Sequence, residues 1–367
     1  MRKRLSKVES NALGLEDKPK GKDGNPKYEI NEEQWNKVLK IRNTGIIESC
    51  DSVSVDPTTV KHLWKKTKED SVFIKNPLYV DPVEKTYLDL RDEILGELKK
   101  YSPKFRKMKR RESSDGHLLV IDPADVHIGK LCDSFESGED YNSQIAVKRV
   151  LEGVYGILDK CRGFDIDKIL FIGGNDILHI DTPKRQTTSG TPQDTDGMWY
   201  RNFLIAKQLY VDCIEILLGV ADVHFTFNPS NHDYTNGFFL ADVIQTYFRK
   251  NKNITFDCSI SHRKYFRYHS NLIGTTHGDG AKSQDLPLLM AQESGEWSDT
   301  KHRYVYTHHV HHKTSKDFIG VTVESLRSPS GTDSWHHRNG YQHAPKAVEG
   351  FLHSKKHGQI CRITHLF

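Results

Sequence analysis

The sequence predicts a layered α/β protein with a mixed β-sheet. From residue 117 onward, short apolar runs typical of buried strands alternate with segments whose apolar residues recur every three or four positions, as in amphipathic helices. Towards the end of the chain, strand patterns follow one another without helices between them. Alternating elements favour parallel strands and consecutive strands favour antiparallel ones, so both kinds of pairing are expected.

The first 76 residues are predicted to form a flexible tail and a helix-turn-helix-like module. Residues 1–29 are polar and contain several glycines and prolines, which is typical of flexible segments. Within residues 30–76, a first helix begins at Asn31, where Gln34 completes a capping box, a short second helix follows, and a third begins at Asp56. This order is similar to a DNA-binding helix-turn-helix, and a plain three-helix packing module is the alternative.

Residues 77–115 are predicted to form a helical linker with a basic hinge. Residues 81–100 have the pattern of an amphipathic helix, and six of the eight residues in 104–111 are cationic. The first 110 residues hold 25 Lys and Arg against 18 Asp and Glu, a balance of +7, whereas the remainder holds 28 against 31, a balance of −3. A basic front favours contact with phosphates, so DNA is the expected partner, and a solvated linker is the alternative for residues 104–111.

Residues 116–367 are predicted to form the main domain, in which strands and helices alternate. Several of its strands are short apolar runs bounded by turn residues, and its helices show clear apolar faces. The predicted strands are 117–122, 168–173, 222–228, 264–269, 272–277, 303–308, 318–326 and 358–365, and the predicted helices are 142–161, 197–218, 236–250 and 285–293.

Five of these strands run into residues of the types that bind metal ions. In open α/β sheets the ligand site lies beyond the carboxyl ends of the strands, so these residues are expected to share one pocket. Such a pool can hold two divalent cations about 3.5–4 Å apart that share a carboxylate. Each motif alone is also compatible with a capped turn that carries a surface histidine. The motifs are Asp125-Val126-His127, Gly174–His179, Asn231-His232-Asp233, His277 and His308–His312.

The order D-x-H, G-D-x-x-H, N-H-D, H and H-x-H resembles the calcineurin-like metallophosphoesterase superfamily, and the D-x-x-H form of the second motif is most similar to its DNA-repair nuclease branch. The resemblance covers about residues 117–326 and implies a mixed β-sheet sandwich flanked by helices. The sequence departs from the family pattern at three positions. Asn175 stands between the Gly and Asp of the second motif, and Ser230 and His308 replace the glycines before N-H and H-x-H.

The resemblance also implies the roles of the site residues. A hydroxide that bridges two metal ions would attack the phosphorus, and His232 would protonate the leaving oxygen or stabilise the phosphate. His179 would contact the phosphate or assist His232, and Asp233 would orient His232. Mn is the expected metal, with Fe or Zn as alternatives. The implied ligands are Asp125, His127 and His311 for the first ion and Asn231, His277 and His309 for the second, with Asp176 bridging both.

The sequence therefore predicts a two-metal phosphoesterase, foremost a nuclease that hydrolyses DNA phosphodiesters. A small-substrate phosphatase or cyclic-nucleotide phosphodiesterase would have the same core, and a DNA-binding regulator with an inactive phosphoesterase body is a third possibility. No stretch approaches 18 apolar residues, the basic N-terminus lacks an apolar signal region, and the cysteines are scattered. A cytoplasmic protein without a membrane span is expected, and homo-oligomerisation is left open.

Two polar stretches beside the motifs are expected to shape the substrate site. Residues 181–197 form a long polar loop in which Lys184 and Arg185 are suited to meet phosphates, with a mobile surface loop as the alternative. Residues 328–341 place Trp335 among histidines and an arginine, an arrangement suited to stacking on a base. A simple cluster in an edge loop is the alternative for this second stretch.

Overall fold

The structure is a computed structural model that describes residues 1–19, 25–66, 71–80, 92, 105, 108–110, 113–341 and 343–367. The chain divides into two compact units, Met1–Tyr101 and Ser102–Phe367. Apart from residue 92, the amphipathic helix predicted at 81–100 lies outside the described residues, as does half of the basic stretch 104–111.

The segment predicted to be a flexible tail contains ordered structure in its described part. Strand β1 (Arg2–Arg4) pairs antiparallel with β2 (Lys27–Glu29), and helix α1 (Lys7–Ala12) follows β1 in the chain. A capping box between Ser6 and Glu9 starts this helix. Leu5, Tyr28 and Ile30 of the segment are buried together with Val38 of α2 and form a small core. The polar composition of the segment gave no sign of this core.

The predicted helix-turn-helix is wrong in its third element. Helix α2 (Glu32–Asp51) begins at the Asn31 cap as predicted, but it runs on where a separate second helix was expected. After a 3₁₀ turn, strand β3 (His62–Lys66) pairs antiparallel with β4 (Ser71–Lys75). The residues described between 31 and 80 therefore form one long helix, a 3₁₀ turn and a hairpin, not a helix-turn-helix.

The hairpin follows a two-residue period that a helical interpretation missed. Leu63 lies opposite Ile74 and packs with it on α2, whereas Trp64 lies opposite Phe73 on the other face. Trp64 and Phe73 are 64% and 56% exposed and contact each other edge to face. Leu63 and Trp64 therefore point to opposite faces, as neighbours in a strand do, and cannot share one helix face.

The C-terminal unit contains two sheets, the larger of which has six strands. Its strands are β5 (His117–Asp122), β6 (Ile166–Gly174), β7 (Asp222–Asn228), β8 (Ile254–Asp257), β14 (Ala347–Ser354) and β15 (Gly358–Leu366), in the order β15-β14-β5-β6-β7-β8. The run from β5 to β8 is parallel, and β14 is antiparallel to both of its neighbours. The predicted mixed sheet is confirmed.

The second sheet has five strands. They are β9 (Lys264–Tyr268), β10 (Asn271–Thr276), β11 (His302–Thr307), β12 (Thr314–Phe318) and β13 (Val321–Ser325), in the order β12-β13-β11-β10-β9. Strands β10, β11 and β13 are parallel, so their carboxyl ends meet at one edge. The helices of this unit are α3 (Ser134–Ser137), α4 (Ser143–Lys160), α5 (Trp199–Leu218), α6 (Tyr234–Phe248), α7 (Leu286–Glu293) and α8 (Ser334–Arg338).

Alternating side chains of the strands bury both faces of the six-stranded sheet. Leu119 and Ile121 of β5 pack in the core formed with α4, α5 and α6, and Leu118 and Val120 pack against the five-stranded sheet. Helix α7 covers the outer face of that second sheet. The predicted layered sandwich flanked by helices is confirmed. Among the described residues, none of the helices combines the length and the apolar character that crossing a bilayer requires.

Three strands of the C-terminal unit were not predicted, and each has a local reason. Strand β12 is exposed and polar, and β8 has only four residues. Strand β14 is interrupted by Gly350, which ordinarily weakens a strand. Here a Cβ atom at this position would lie 2.7 Å from the carbonyl oxygen of Val120, so glycine is required by the close approach of β14 to β5.

A buried ion cluster joins the two sheets. Arg362 of β15 donates hydrogen bonds to Glu349 of β14, at 2.5 Å, and to Glu324 of β13, at 2.6 Å. Glu349 is fully buried and Glu324 is 3% exposed. Arg327 adds a second guanidinium to Glu349 at 2.9 Å.

We expect Arg362→Ala to destabilise the protein by about 3–5 kcal/mol, because it leaves buried carboxylates without their main partner. Urea denaturation measures the change in unfolding free energy. Arg162→Ala is the control, since Arg162 forms a surface pair with Asp159 and should change it by less than about 1 kcal/mol. An equally small effect for both variants would contradict a structural role for the cluster.

His353 of β14 should make the fold sensitive to acid. Burial lowers the pKa of His353 to about 3, whereas an unfolded imidazole binds a proton below about pH 6.5. The stability that depends on neutral His353 is therefore complete above pH 6.5 and is lost as the pH falls from there towards 3. We expect His353→Gln to remove about 2 kcal/mol from the pH 7 to pH 5 change in unfolding free energy, while the exposed control His357→Gln keeps the wild-type slope.

Candidate metal centre

The predicted ligand residues lie in loops at the carboxyl ends of parallel strands. The loops after β5, β6 and β7 belong to one sheet, and those after β10 and β11 belong to the other. Backbone φ is positive at six non-glycine residues of these loops, a conformation that L-residues rarely adopt and that clusters at functional sites. These residues are Asp125 (50°), His127 (51°), Asn175 (52°), Asp176 (59°), His309 (69°) and His311 (56°).

The first group of donors is Asp125, His127 and His311, whose ligand atoms lie within 4.8 Å of one another. Nε2 of His127 is 3.3 Å from Nε2 of His311, and Nε2 of His311 is 3.7 Å from Oδ1 of Asp125. Atoms that bind one cation at about 2.0–2.2 Å lie roughly 3–4 Å apart. The three residues that the resemblance assigns to the first ion are thus spaced for a common cation.

The second group consists of Asp176, His277 and His309, also within 4.8 Å of one another. Nε2 of His277 is 3.2 Å from Oδ2 of Asp176 and 2.9 Å from Oδ1 of Asn231. The fourth residue of the predicted set, Asn231, therefore adds its oxygen to this group.

Asp176 lies between the two groups. Its Oδ2 atom is 3.2 Å from His277 on one side and 3.9 Å from Nε2 of His127 on the other. The structure brings all seven predicted ligands together, with Asp176 at the position expected of a bridging carboxylate. That these residues bind metal stays a prediction.

The electrostatics of the pocket favour a cation. Asp125 is fully buried and Asp176 is 1% exposed. Burial raises the pKa of Asp125 to about 7. Burial also raises the pKa of Asp176, but the adjacent His277 outweighs it and holds that pKa below its usual value. His277 itself has a buried Nδ1 atom without a hydrogen-bond partner. A divalent cation bound here would favour the charged form of Asp125, which burial alone disfavours.

Four of the surrounding imidazoles are in the form that binds metals, and His277 is the exception. Burial lowers the pKa of His277, but the adjacent Asp176 outweighs it and raises that pKa to about 9, so His277 must lose a proton to act as a ligand. Burial is the main cause that holds the pKa values of His127, His179 and His311 well below the usual range. Burial likewise lowers the pKa of His309. Neutral imidazoles offer a lone pair, so these rings can act as ligands without first losing a proton.

His232 and His179 lie beside the first donor group. Nδ1 of His232 is 2.9 Å from the carbonyl oxygen of His179, and the two rings stack at 5.3 Å. Since a carbonyl only accepts, Nδ1 of His232 carries the proton and Nε2 is left for other partners. His127, His179 and His232 also form a third group with ligand atoms within 4.8 Å, which the sequence did not indicate.

The role predicted for Asp233 needs correction. Its Oδ1 accepts a hydrogen bond from Ser230 at 2.6 Å and its Oδ2 accepts one from the backbone N–H of Leu178 at 2.8 Å. The ring of His232 is instead oriented by the carbonyl of His179. Asp233 therefore connects the loops after β6 and β7 and holds the backbone of the loop that carries Asp176 and His179.

The three departures from the family pattern form hydrogen bonds that support the site. Ser230 accepts a hydrogen bond from the backbone N–H of Asp176 at 2.7 Å. Nδ2 of Asn175 lies 3.3 Å from Nε2 of His308. The same His308 nitrogen is 2.8 Å from Oδ2 of Asp122, and its Nδ1 is 3.0 Å from the carbonyl oxygen of Thr276. His308 thus connects the loops of both sheets.

The buried pair of Asp122 and His308 is a feature of the candidate site that the sequence did not indicate. The run of four histidines drew attention to the H-x-H pair, while Asp122 was counted only as the end of a strand. Both are almost completely buried and paired. A carboxylate that closes an apolar strand just before a ligand motif was the available signal.

Lys184 and Arg185, proposed to meet phosphates, are exposed in their loop.

The similarity of the chain to known proteins is low. No protein-family model matches the chain, and no curated protein matches it significantly. Vps29 from Chaetomium thermophilum is 9% identical with a TM-score of 0.32, covering 68% of this chain and 98% of its own. Vps29 complexed with Zn²⁺ from Entamoeba histolytica is 12% identical with a TM-score of 0.29, and the match covers 68% of this chain and 98% of that protein. A predicted phosphoesterase from Streptococcus pneumoniae is 12% identical (TM-score 0.25; 70% and 100%). A likeness of this size supports no conclusion about family or activity.

Ser230→Ala should weaken metal binding without touching a ligand. The change leaves the buried N–H of Asp176 unpaired, so we expect a loss of about 1–3 kcal/mol of stability and roughly 10–100-fold weaker Mn²⁺ affinity. Calorimetric titration with Mn²⁺ measures the affinity. Ser261→Ala is the matched control, because the Ser261 hydroxyl bonds a backbone carbonyl at an exposed turn. Affinities within twofold of wild type would show that Ser230 does not position Asp176.

Proposed function

We propose that the chain is a metal-dependent phosphoesterase. The observation that carries this proposal is the convergence of two Asp/His donor groups on Asp176, beside His232 and His179. The order of the motifs, which resembles that of calcineurin-like metallophosphoesterases, supports the same conclusion.

Two divalent cations fit the donor set. Asp125, His127 and His311 would hold one, and Asn231, His277 and His309 would hold the other, with Asp176 shared. Imidazole and carboxylate donors favour Mn, Fe or Zn over Ca. When bound, such a pair neutralises the charge of a phosphoryl group and lowers the pKa of water at the site.

The protein's own residues would position the ester and move the proton. When both ring nitrogens of His232 carry a proton, Nδ1–H donates to the carbonyl of His179, and Nε2–H can pass its proton to the departing oxygen, which leaves the ring neutral. The buried ring of His179 stacks on His232 and limits its rotation. The backbone N–H of His232 donates to Oδ1 of Asp176 at 3.0 Å, which ties the proton donor to the shared carboxylate.

Among phosphoesters, we propose DNA phosphodiesters as the substrate. The support is the charge distribution: the first 110 residues carry a balance of +7, 25 Lys and Arg against 18 Asp and Glu. Positive charge attracts a polyanion irrespective of sequence. The helix-turn-helix no longer contributes to this proposal.

The first test compares wild type, Asp176→Asn and His232→Ala with Mn²⁺ on three substrates: duplex DNA, single-stranded DNA and bis-p-nitrophenyl phosphate. We expect DNA cleavage by wild type and a loss of about 10²–10⁴-fold in His232→Ala. Asp176→Asn should lose both activity and Mn²⁺ affinity. Asp159→Asn, a surface change in an exposed pair, is the control and should retain activity.

The outcomes separate the levels of the proposal. Cleavage of the small diester with both DNAs intact would contradict the DNA substrate and leave a small-substrate phosphodiesterase. Metal binding without hydrolysis of any substrate would contradict the enzyme itself. DNA cleavage that survives in both variants would place the chemistry elsewhere.

A further inference from the structure

A cavity of about 420 Å³ opens directly beside the metal centre. The run His309–His312, which includes one member of each donor group, forms one part of its wall, and residues between 331 and 346 form the other. Its lining combines aromatic rings with hydrogen-bond donors, including Trp335, Tyr341 and Lys346. Whatever occupies the metal centre therefore has this cavity as its neighbour.

A continuous row of rings leads from the candidate ligands into the cavity. His336 stacks on His311 with ring centroids 5.1 Å apart and planes inclined by 16°. Trp335 contacts His336 at 5.1 Å, and Tyr341 stacks with Trp335 at 5.9 Å.

The wall that carries this row is anchored in the protein interior. Lys130 is 1% exposed, and its Nζ lies 2.8 Å from Oδ2 of Asp333. Oδ1 of Asp333 accepts hydrogen bonds from both the ring and the backbone N–H of His336, at 2.7 and 2.8 Å. A buried ammonium is costly unless it is paired, so Lys130 and Asp333 hold His336 in place.

The outer rings of the row are not part of a core. Trp335 is 61% exposed and Tyr341 is 57% exposed, although each carries a large apolar surface. Lys346 lines the same cavity, and its Nζ donates to Thr332 Oγ1 at 3.1 Å. Open aromatic faces next to a cation are the features by which proteins hold unpaired bases of nucleic acids.

We propose that this cavity is a subsite for the unpaired base of a nucleotide whose phosphoester lies at the metal centre. The base stacks on the face that the Trp335–Tyr341 pair leaves exposed, and the adjoining histidines position it relative to the phosphorus. The proposal rests on the proposed function and extends it to nucleotide esters. The base can belong to a single-stranded DNA or to a small nucleotide ester, since both present the same ring.

The kinetic test uses two esters with the same leaving group. Thymidine 5′-(p-nitrophenyl phosphate) carries a base, and methyl p-nitrophenyl phosphate does not. We expect Trp335→Ala and Tyr341→Ala to lower kcat/KM for the thymidine ester by roughly 5- to 150-fold, the loss of one base–aromatic stack. The methyl ester should change by less than about twofold, and Trp335→Phe should recover most of the loss. Tyr155→Ala, which removes another exposed tyrosine from helix α4, is the matched control.

A binding test does not depend on hydrolysis. Calorimetry with Mn²⁺ present compares thymidine 5′-monophosphate with 2-deoxyribose 5-phosphate. Wild type should bind the nucleotide more tightly, and Trp335→Ala should bind both alike. If the proposed phosphoesterase activity is wrong, neither ester is hydrolysed but this difference in affinity persists.

Equal affinity of wild type for the two phosphates would overturn the base subsite, as would an equal loss of rate on both esters in Trp335→Ala. Competition between oligothymidylate and thymidine 5′-monophosphate identifies the source of the base. Tighter binding of the oligonucleotide assigns the subsite to single-stranded DNA, and equal binding assigns it to a small nucleotide ester.

Discussion

The burial of two carboxylates, Asp125 and Asp176, is the constraint on which the candidate site depends. A buried charge is tolerated only where neighbouring groups compensate it. Here the compensation comes from imidazoles contributed by both sheets, foremost His277, and from backbone N–H groups such as that of His309, 3.1 Å from both oxygens of Asp125. The groups that surround the two carboxylates therefore stabilise their burial in the fold, whether or not cations are bound.

The loops meet that requirement at the expense of backbone strain. Positive φ values at six site residues are unfavourable individually and persist only where the surroundings determine them strongly. Ser230 and Asp233 connect the loop after β7 to the loop after β6. His308, which follows β11 of the five-stranded sheet, contacts Asp122 at the end of β5 and Asn175 after β6. The parallel strands beneath these loops are rigid and fix the positions of the loop side chains. In α/β proteins, functional residues usually lie in loops that such a scaffold positions.

The metal centre and the neighbouring cavity are parts of one arrangement because His311 belongs to both. One side of its ring faces His127 in the first donor group, and the ring stacks on His336 of the cavity wall. His336 is in turn fixed by Asp333 and the buried Lys130, which lies three residues after His127 in the chain. The candidate ligands and the wall of the cavity are therefore held in place by the same few contacts.

The sequence by itself determined the elements and residue types that local pattern controls. The apolar run of β5, the amphipathic period of α4 and the order of the ligand motifs could be read directly, and with them came the layered fold and all seven residues that converge. What only the tertiary structure decided depends on partners far away in the chain. Trp64 and Leu63 fit a helix face until β4 pairs with β3, and Gly350 breaks a strand pattern until the close approach of β5 requires it. Asp233 and His308 belong to motifs that the sequence shows, but their partners lie elsewhere: Leu178 in the loop after β6 and Asp122 at the end of β5. Such pairing leaves no periodic trace in the sequence, because it depends on which elements the fold brings side by side.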